Sequence, residues 1–76
     1  MPTILRKDGF RFFFFSNDHA PPHIHVSGKG GRAKFDLLPV SLVSSNGLKS
    51  KDLKAAHEIV ADNQYLFLDA WNDFFK

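Results

Sequence analysis

The 76-residue chain has no cysteine, which excludes a disulfide framework and any Cys-based zinc site. No apolar run approaches the roughly 20 residues that a membrane-spanning helix needs. The opening stretch MPTILRKDG lacks the charged-then-apolar order of a secretory signal. These absences lead us to expect a soluble protein of the cytoplasm. No internal repeat, low-complexity tract or linker divides the chain, and its length is too small for two independent cores. Residues 1–76 are therefore read as a single domain. Such a domain buries only about 60% of its unfolded surface, so its stability margin is thin. Strong charge of one sign is lacking too. Ten Lys and Arg against eight Asp and Glu leave +2, which by itself says little about a polyanionic partner.

Aromatic residues, in contrast, are plentiful: nine Phe, one Trp and one Tyr. A core this small can hardly absorb them all, which points to a partner protein or a second copy of the chain. The alternative is that large aromatic side chains make up for small size by burying much area each.

Strand signals fill the first half and helix signals the second, the pattern of an α+β fold with segregated elements. TILRK, Asp8-Gly9 and FRFFFF (strands within about 3–15) read as a β-hairpin, since Asp-Gly supplies the positive φ angles of a type I′ turn. A two-residue turn pairs Leu5 with Phe12 and Ile4 with Phe13. It also sets Arg6 opposite Arg11, an unfavourable pair unless an anion lies nearby, and a three-residue turn would remove that conflict. A second hairpin spans about 23–37, with HIHVS and RAKFD flanking GKGG. Pairing Ser27 with Arg32 brings Val26 to Ala33, His25 to Lys34, Ile24 to Phe35 and His23 to Asp36. Apolar pairs then share one face and polar pairs the other, and a one-residue slip would spoil the sorting. Pro39 ends the strand, and residues 40–45 suit a short fifth one. The run FFFF at 12–15 reads as a strand buried on both sides that something must cover.

Ser50 fits a helix N-cap ahead of a helical region over about 51–75. Leu53, Ala56, Val60, Phe67, Ala70 and Phe74 follow helical spacing, interrupted only at Asn63. This allows one long helix or two helices hinged near Asp62-Asn63, packed on a small antiparallel sheet.

Three of the four histidines lie within SNDHAPPHIHV, residues 16–26. His23 and His25 leave one face of a strand together, and His19 precedes them across a Pro-Pro segment expected to be extended and stiff. Four readings follow. His19, His23 and His25 supply three nitrogens for zinc or another first-row divalent ion. The His-x-His core resembles the metal motif of cupin barrels, although the glutamate of that motif is absent and the chain is too short for the barrel. Alternatively, His23 and His25 act as acid–base groups on an RNA phosphodiester, with Asp36 orienting His23 and a cation stabilising charge. The same face could bind RNA passively through Arg11, Arg32 and Lys34, with Phe13 or Phe15 stacking on bases. Or the histidines are simply the polar side of a strand. GKGG opens no helix and is read as a turn rather than a phosphate loop, and Lys49, Lys51 and Lys54 as a solvated helix face.

MPTILR, GFRFFFFSND, HAPPHIHV, AKF and AWNDFF together resemble the bacterial family known as Domain of Unknown Function 4160. Asp18 stands where members often carry glutamate. The resemblance implies a small stand-alone protein encoded beside another small protein, in a toxin–antitoxin-like arrangement. From it we expect a component of such a module, either homodimeric or paired with a cognate partner, with the histidine face binding or cleaving RNA. It brings no catalytic residues and no certain cofactor, so the histidine roles rest on the side chains themselves.

Overall fold

Two tight turns organise the first half of the chain. In the computed structural model, which describes residues 3–75, Asp8 and Gly9 have φ of 54° and 84°. This is the type I′ geometry that matches strand twist, and it joins β1 (Thr3–Lys7) to β2 (Phe10–Phe13). Lys29 and Gly30, at 53° and 83°, do the same between β3 (His23–Gly28) and β4 (Gly31–Leu37). Leu38-Pro39 then turns the chain into β5 (Val40–Asn46). The five strands form one antiparallel sheet in sequence order.

The register of the second hairpin follows the sorting of side chains, from Ser27 opposite Arg32 to His23 opposite Asp36. In the first hairpin Leu5 faces Phe12 and Arg6 faces Arg11, the like-charge pair included. Ile4 does not meet Phe13 as expected. A bulge leaves Ile4 without an opposite residue and sets Thr3 against Phe13. A second bulge, between Lys34 and Phe35, lies in the pairing of β4 with the other edge strand, β5. Both edges of the sheet are thus irregular, which disfavours continued strand addition.

The helical region is two helices, α1 (Ser50–Asp62) and α2 (Gln64–Phe74). Ser50 is not the cap. Lys49 is extended, and its carbonyl already accepts from Leu53 N–H at 2.9 Å, so Ser50 is the first helical residue. Asn63 makes the break, as its side-chain Nδ2 donates to Ile59 O at 2.8 Å and competes with the helix's own bonding. The interruption leaves the buried stripe in phase, since Phe67 lies seven residues, or two turns, after Val60. Ala56, Ile59, Val60 and Phe67 are buried as a helix face should be, but Trp71 completes the stripe while Phe74 stays exposed. None of the helices among the described residues is long and apolar enough to cross a membrane.

Both helices pack on one face of the sheet, against Phe12, Ile24, Val26, Phe35 and Leu37. Seven of the eleven aromatic residues are buried, so the aromatic excess is largely the core itself. Phe12, Phe13 and Phe14 are buried, but β2 ends at Phe13 and Phe15 is 37% exposed. Strand β2 is interior, covered on its edges by β1 and β3.

The turns at one end of the sheet pack backbone against backbone. A Cβ on Gly31 would lie 2.5 Å from Gly47 C and 2.6 Å from Asn46 O. One on Gly30 would meet nothing, leaving only the strain of its positive φ. We expect Gly30→Ala to cost about 1–2 kcal/mol, a fall in Tm of roughly 5–15 °C. Gly31→Ala should lower Tm further, because strand and loop must separate. Thermal denaturation of the two variants decides it, and a milder effect at Gly31 would contradict this packing.

Candidate metal centre

Residues 14–22, between β2 and β3, fold over the other end of the sheet. Asp18 N–H donates to Phe15 O at 3.1 Å, and Phe15 N–H donates back to Asp18 Oδ2 at 2.9 Å. This reciprocal closure fixes the carboxylate in place. It comes to rest over the open face of β3, opposite the helices.

His25 reaches it directly: Nε2 lies 3.1 Å from Oδ1 and 3.2 Å from Oδ2 of Asp18. His23 approaches from the strand end. Its Nδ1–H donates to Pro21 O at 2.9 Å, and because a carbonyl only accepts, this places the proton on Nδ1. The other nitrogen, Nε2, is fully buried and 3.1 Å from Asp18 Oδ1. That distance is ionic contact, but Nε2 has no hydrogen-bond partner. With Nδ1 engaged by Pro21 O, Nε2 is left without a hydrogen-bond partner in the space beside the carboxylate. The side chains of His23, Asp18 and His25 are only 5%, 10% and 17% exposed.

Aromatic rings wall the cluster. His23 lies 5.0 Å from Trp71 and 5.1 Å from His25, centroid to centroid, and His25 lies between Phe15 at 4.5 Å and Phe13 at 5.6 Å. The low dielectric of this setting acts on both titrating partners. Burial pushes the Asp18 carboxyl up, but the Phe15 N–H and then His25 and His23 outweigh it, so its pKa falls below the ordinary value. Burial is the largest influence on His25 and lowers its pKa, aided by the charges of His23 and Lys34. The hydrogen bond and charge of Asp18 oppose that lowering only in part.

One ligand atom from each of Asp18, His23 and His25 lies within 4.8 Å of the others. Donors on a single ion at bond lengths of about 2.0–2.2 Å are roughly 3–3.5 Å apart. The three side chains are therefore placed to close on a small cation with little movement.

The sequence-based candidates separate accordingly. His23 and His25 converge as anticipated. His19 is exposed and outside the group, and the Ala20–Pro21 peptide ahead of His23 is cis rather than part of an extended lead-in. Asp36 is opposite His23 in register, but both ring nitrogens of His23 face elsewhere, so Pro21 O takes the orienting place assigned to Asp36. Arg11, Arg32 and Lys34 share the open face with His25. Phe13 is buried beneath the Arg11 guanidinium, 4.4 Å above its ring, and is closed to stacking. Asp18 is the residue that sequence reasoning passed over. Its signal was local: an Asp three residues after Phe15 suits a turn that returns its carboxylate to the backbone.

The family described as Domain of unknown function (DUF4160) matches residues 9–72, most of the chain, and the chain belongs to that family. No curated protein and no solved structure gives a match.

The lowered pKa values set a pH dependence. For both groups the unfolded chain takes up protons before the folded one does, so their stabilisation is present at neutral pH and lost on acidification. His25 begins to destabilise as pH falls through about 6.5, and Asp18 below about 4. In chelator-treated protein, Tm should fall from pH 7.5 to 5.5 and again towards pH 3.5, and His25→Gln should flatten the first step. A Tm unchanged between pH 7.5 and 5.5 would contradict the buried, neutral His25.

Proposed function

We propose that this member of the Domain of unknown function (DUF4160) family holds a first-row divalent metal ion, zinc in the simplest case, on Asp18, His23 and His25. The observation that carries the reading is the buried Nε2 of His23, which has no hydrogen-bond partner and faces a carboxylate and a second imidazole. Left unmade, such a bond costs about 1–3 kcal/mol. An ion on the lone pair removes that cost and separates it from Asp18. Two imidazoles and one carboxylate are a donor set for zinc completed by water, or for non-haem iron. The bond from His23 Nδ1–H to Pro21 O is the outer contact that fixes a ligating tautomer.

Acid–base cleavage of RNA by His23 and His25 has less support. His23 Nε2 is buried and His25 Nε2 is engaged by Asp18, so neither reaches a phosphodiester unless residues 14–22 open. A role in a toxin–antitoxin-like module would rest on surfaces that meet a partner, since this centre is enclosed.

Untagged protein should bind about one equivalent of zinc, cobalt or iron by elemental analysis after dialysis. Asp18→Asn and His23→Gln should lose it, while His19→Ala keeps it. Metal at roughly a hundred times its dissociation constant should add about 2.7 kcal/mol, a rise in Tm on the order of 10–20 °C. Wild-type protein that retains no first-row metal, or Asp18→Asn that retains as much as wild type, would end the proposal.

A further inference from the structure

The face of the sheet away from the helices carries a second, separate feature. Residues directly opposite each other on paired strands share a face, so the registers can be read across the sheet. Arg6 faces Arg11, Arg11 faces Ser27, Ser27 faces Arg32, and Arg32 faces Asn46. One straight row thus crosses all five strands with three arginines and no acid. At about 4.8 Å per strand, Arg6 to Arg32 spans roughly 14 Å. The next row runs Phe13, His25, Lys34, Ser44 and adds a fourth cation.

None of these four cations pairs with a carboxylate among the described residues, where both ion pairs are His23 and His25 with Asp18. Arg11 has a neutral partner, Thr3 Oγ1 at 2.8 Å, and rests on Phe13. Arg6 directly opposite Arg11 remains an uncompensated like-charge pair, which is destabilising unless an anion lies between them. The ground beside the row is concave. One hollow is lined by Arg6, Lys7, Arg11 and Ser27, with Asp8 as its one acid, and the next by Ser27, Arg32 and Asn46. Charge is also partitioned along the chain. Residues 1–46 hold six cations against three acids, and residues 47–76 hold four against five.

We propose that this open face binds the phosphate backbone of a single-stranded nucleic acid, with phosphates along Arg6, Arg11, Arg32 and Lys34. Arginine's planar fork suits phosphate, and 14 Å accommodates about four nucleotides at the ~3.4 Å rise of a stacked strand. Phe15, part-exposed and packed edge-on against His25, offers a ring for a base at the end of the second row. An acidic protein fits less well, because the face lacks the exposed apolar centre that protein interfaces are built around. The surface does not depend on the metal centre, so its test is run in chelator and repeated with Asp18→Asn.

The probe is a fluorescein-labelled U20 RNA, with dT20, a 20-base-pair duplex and polyglutamate alongside, read by anisotropy from 50 to 200 mM salt. Wild type should bind U20 or dT20 with a log–log salt slope of about −2 to −3, as three or four phosphate contacts require. Arg6→Gln/Arg11→Gln/Arg32→Gln should weaken binding at least ~10-fold at 50 mM salt and reduce the slope by about 2. Lys51→Gln/Lys54→Gln, on the helical layer, should bind as wild type, and circular dichroism should confirm that both variants fold. No binding at 50 mM salt would overturn the proposal. So would equal loss in the two variants, tighter binding of the duplex, or equal displacement of U20 by polyglutamate.

Discussion

The arrangement of the whole molecule depends on the register of the β3–β4 hairpin. With Lys29-Gly30 as the turn, Ile24, Val26, Ala33 and Phe35 all point at the helices, and His25, Arg32 and Lys34 point away, while His23 at the strand end lies against Trp71 of α2. A one-residue slip would exchange the two sets, exposing the core and burying polar side chains. The register is held at the turn end of the sheet by close backbone packing. A Cβ on Gly28 would lie 2.3 Å from Gly9 O, and one on Gly31 would collide with Gly47. Three separate turns are therefore stacked on glycines, and none can shift without moving its neighbour. A short sheet with both faces specified by period-2 alternation leaves its opposite end free to carry a polar cluster.

At that opposite end, the four consecutive phenylalanines explain how polar residues can be buried in so small a core. Phe12 stacks on Phe67 beneath the helices at 5.5 Å, and Phe14 anchors α2 through Trp71 at 5.4 Å and Phe75 at 5.8 Å. Phe13 points the other way, covered by Arg11 and stacked on His25. Phe15 closes the turn that delivers Asp18. The run is thus divided between two environments. Two rings build the hydrophobic layer, and the other two wall the histidines from solvent and carry the open face.

Much of this was legible in the sequence because it rests on short-range rules. The type I′ turn at Asp8-Gly9, the His23–Asp36 register and the fifth strand follow from turn chemistry and alternation, while helical spacing left one long helix and two hinged near Asn63 both open. What escaped were events that depend on tertiary context. The Ile4 bulge is invisible in TILRK, where any of three residues could be the one skipped. Phe74 gave way to Trp71, one turn after Phe67, because contacts with Phe14 and His23 rather than spacing choose the last buried residue of the stripe. The candidate site was half legible. A strand period of two brings His23 and His25 together, but loop residues 14–22 choose the third donor, and they bring in Asp18 rather than His19. Opposition across a ladder places Cα atoms and does not orient a ring, which is why Asp36 faces His23 without holding it.

The cluster of Asp18, His23 and His25 is costly for a domain with so little core. Well-packed apolar residues in the same volume are often as stabilising as a buried ionic group, or more so. A structural role for the cluster would require every donor and acceptor in it to be satisfied. Asp18 and His25 meet that requirement, and His23 does not. A cation along the lone pair satisfies all three side chains at once. His23 also packs against Trp71, which joins α2 to the sheet, so a ligand that orders the His23 ring also orders the surface on which α2 docks. Under the proposed reading, ion binding and helix docking are linked through one aromatic contact, and the metal adds to the stability of a 76-residue chain that also folds without it.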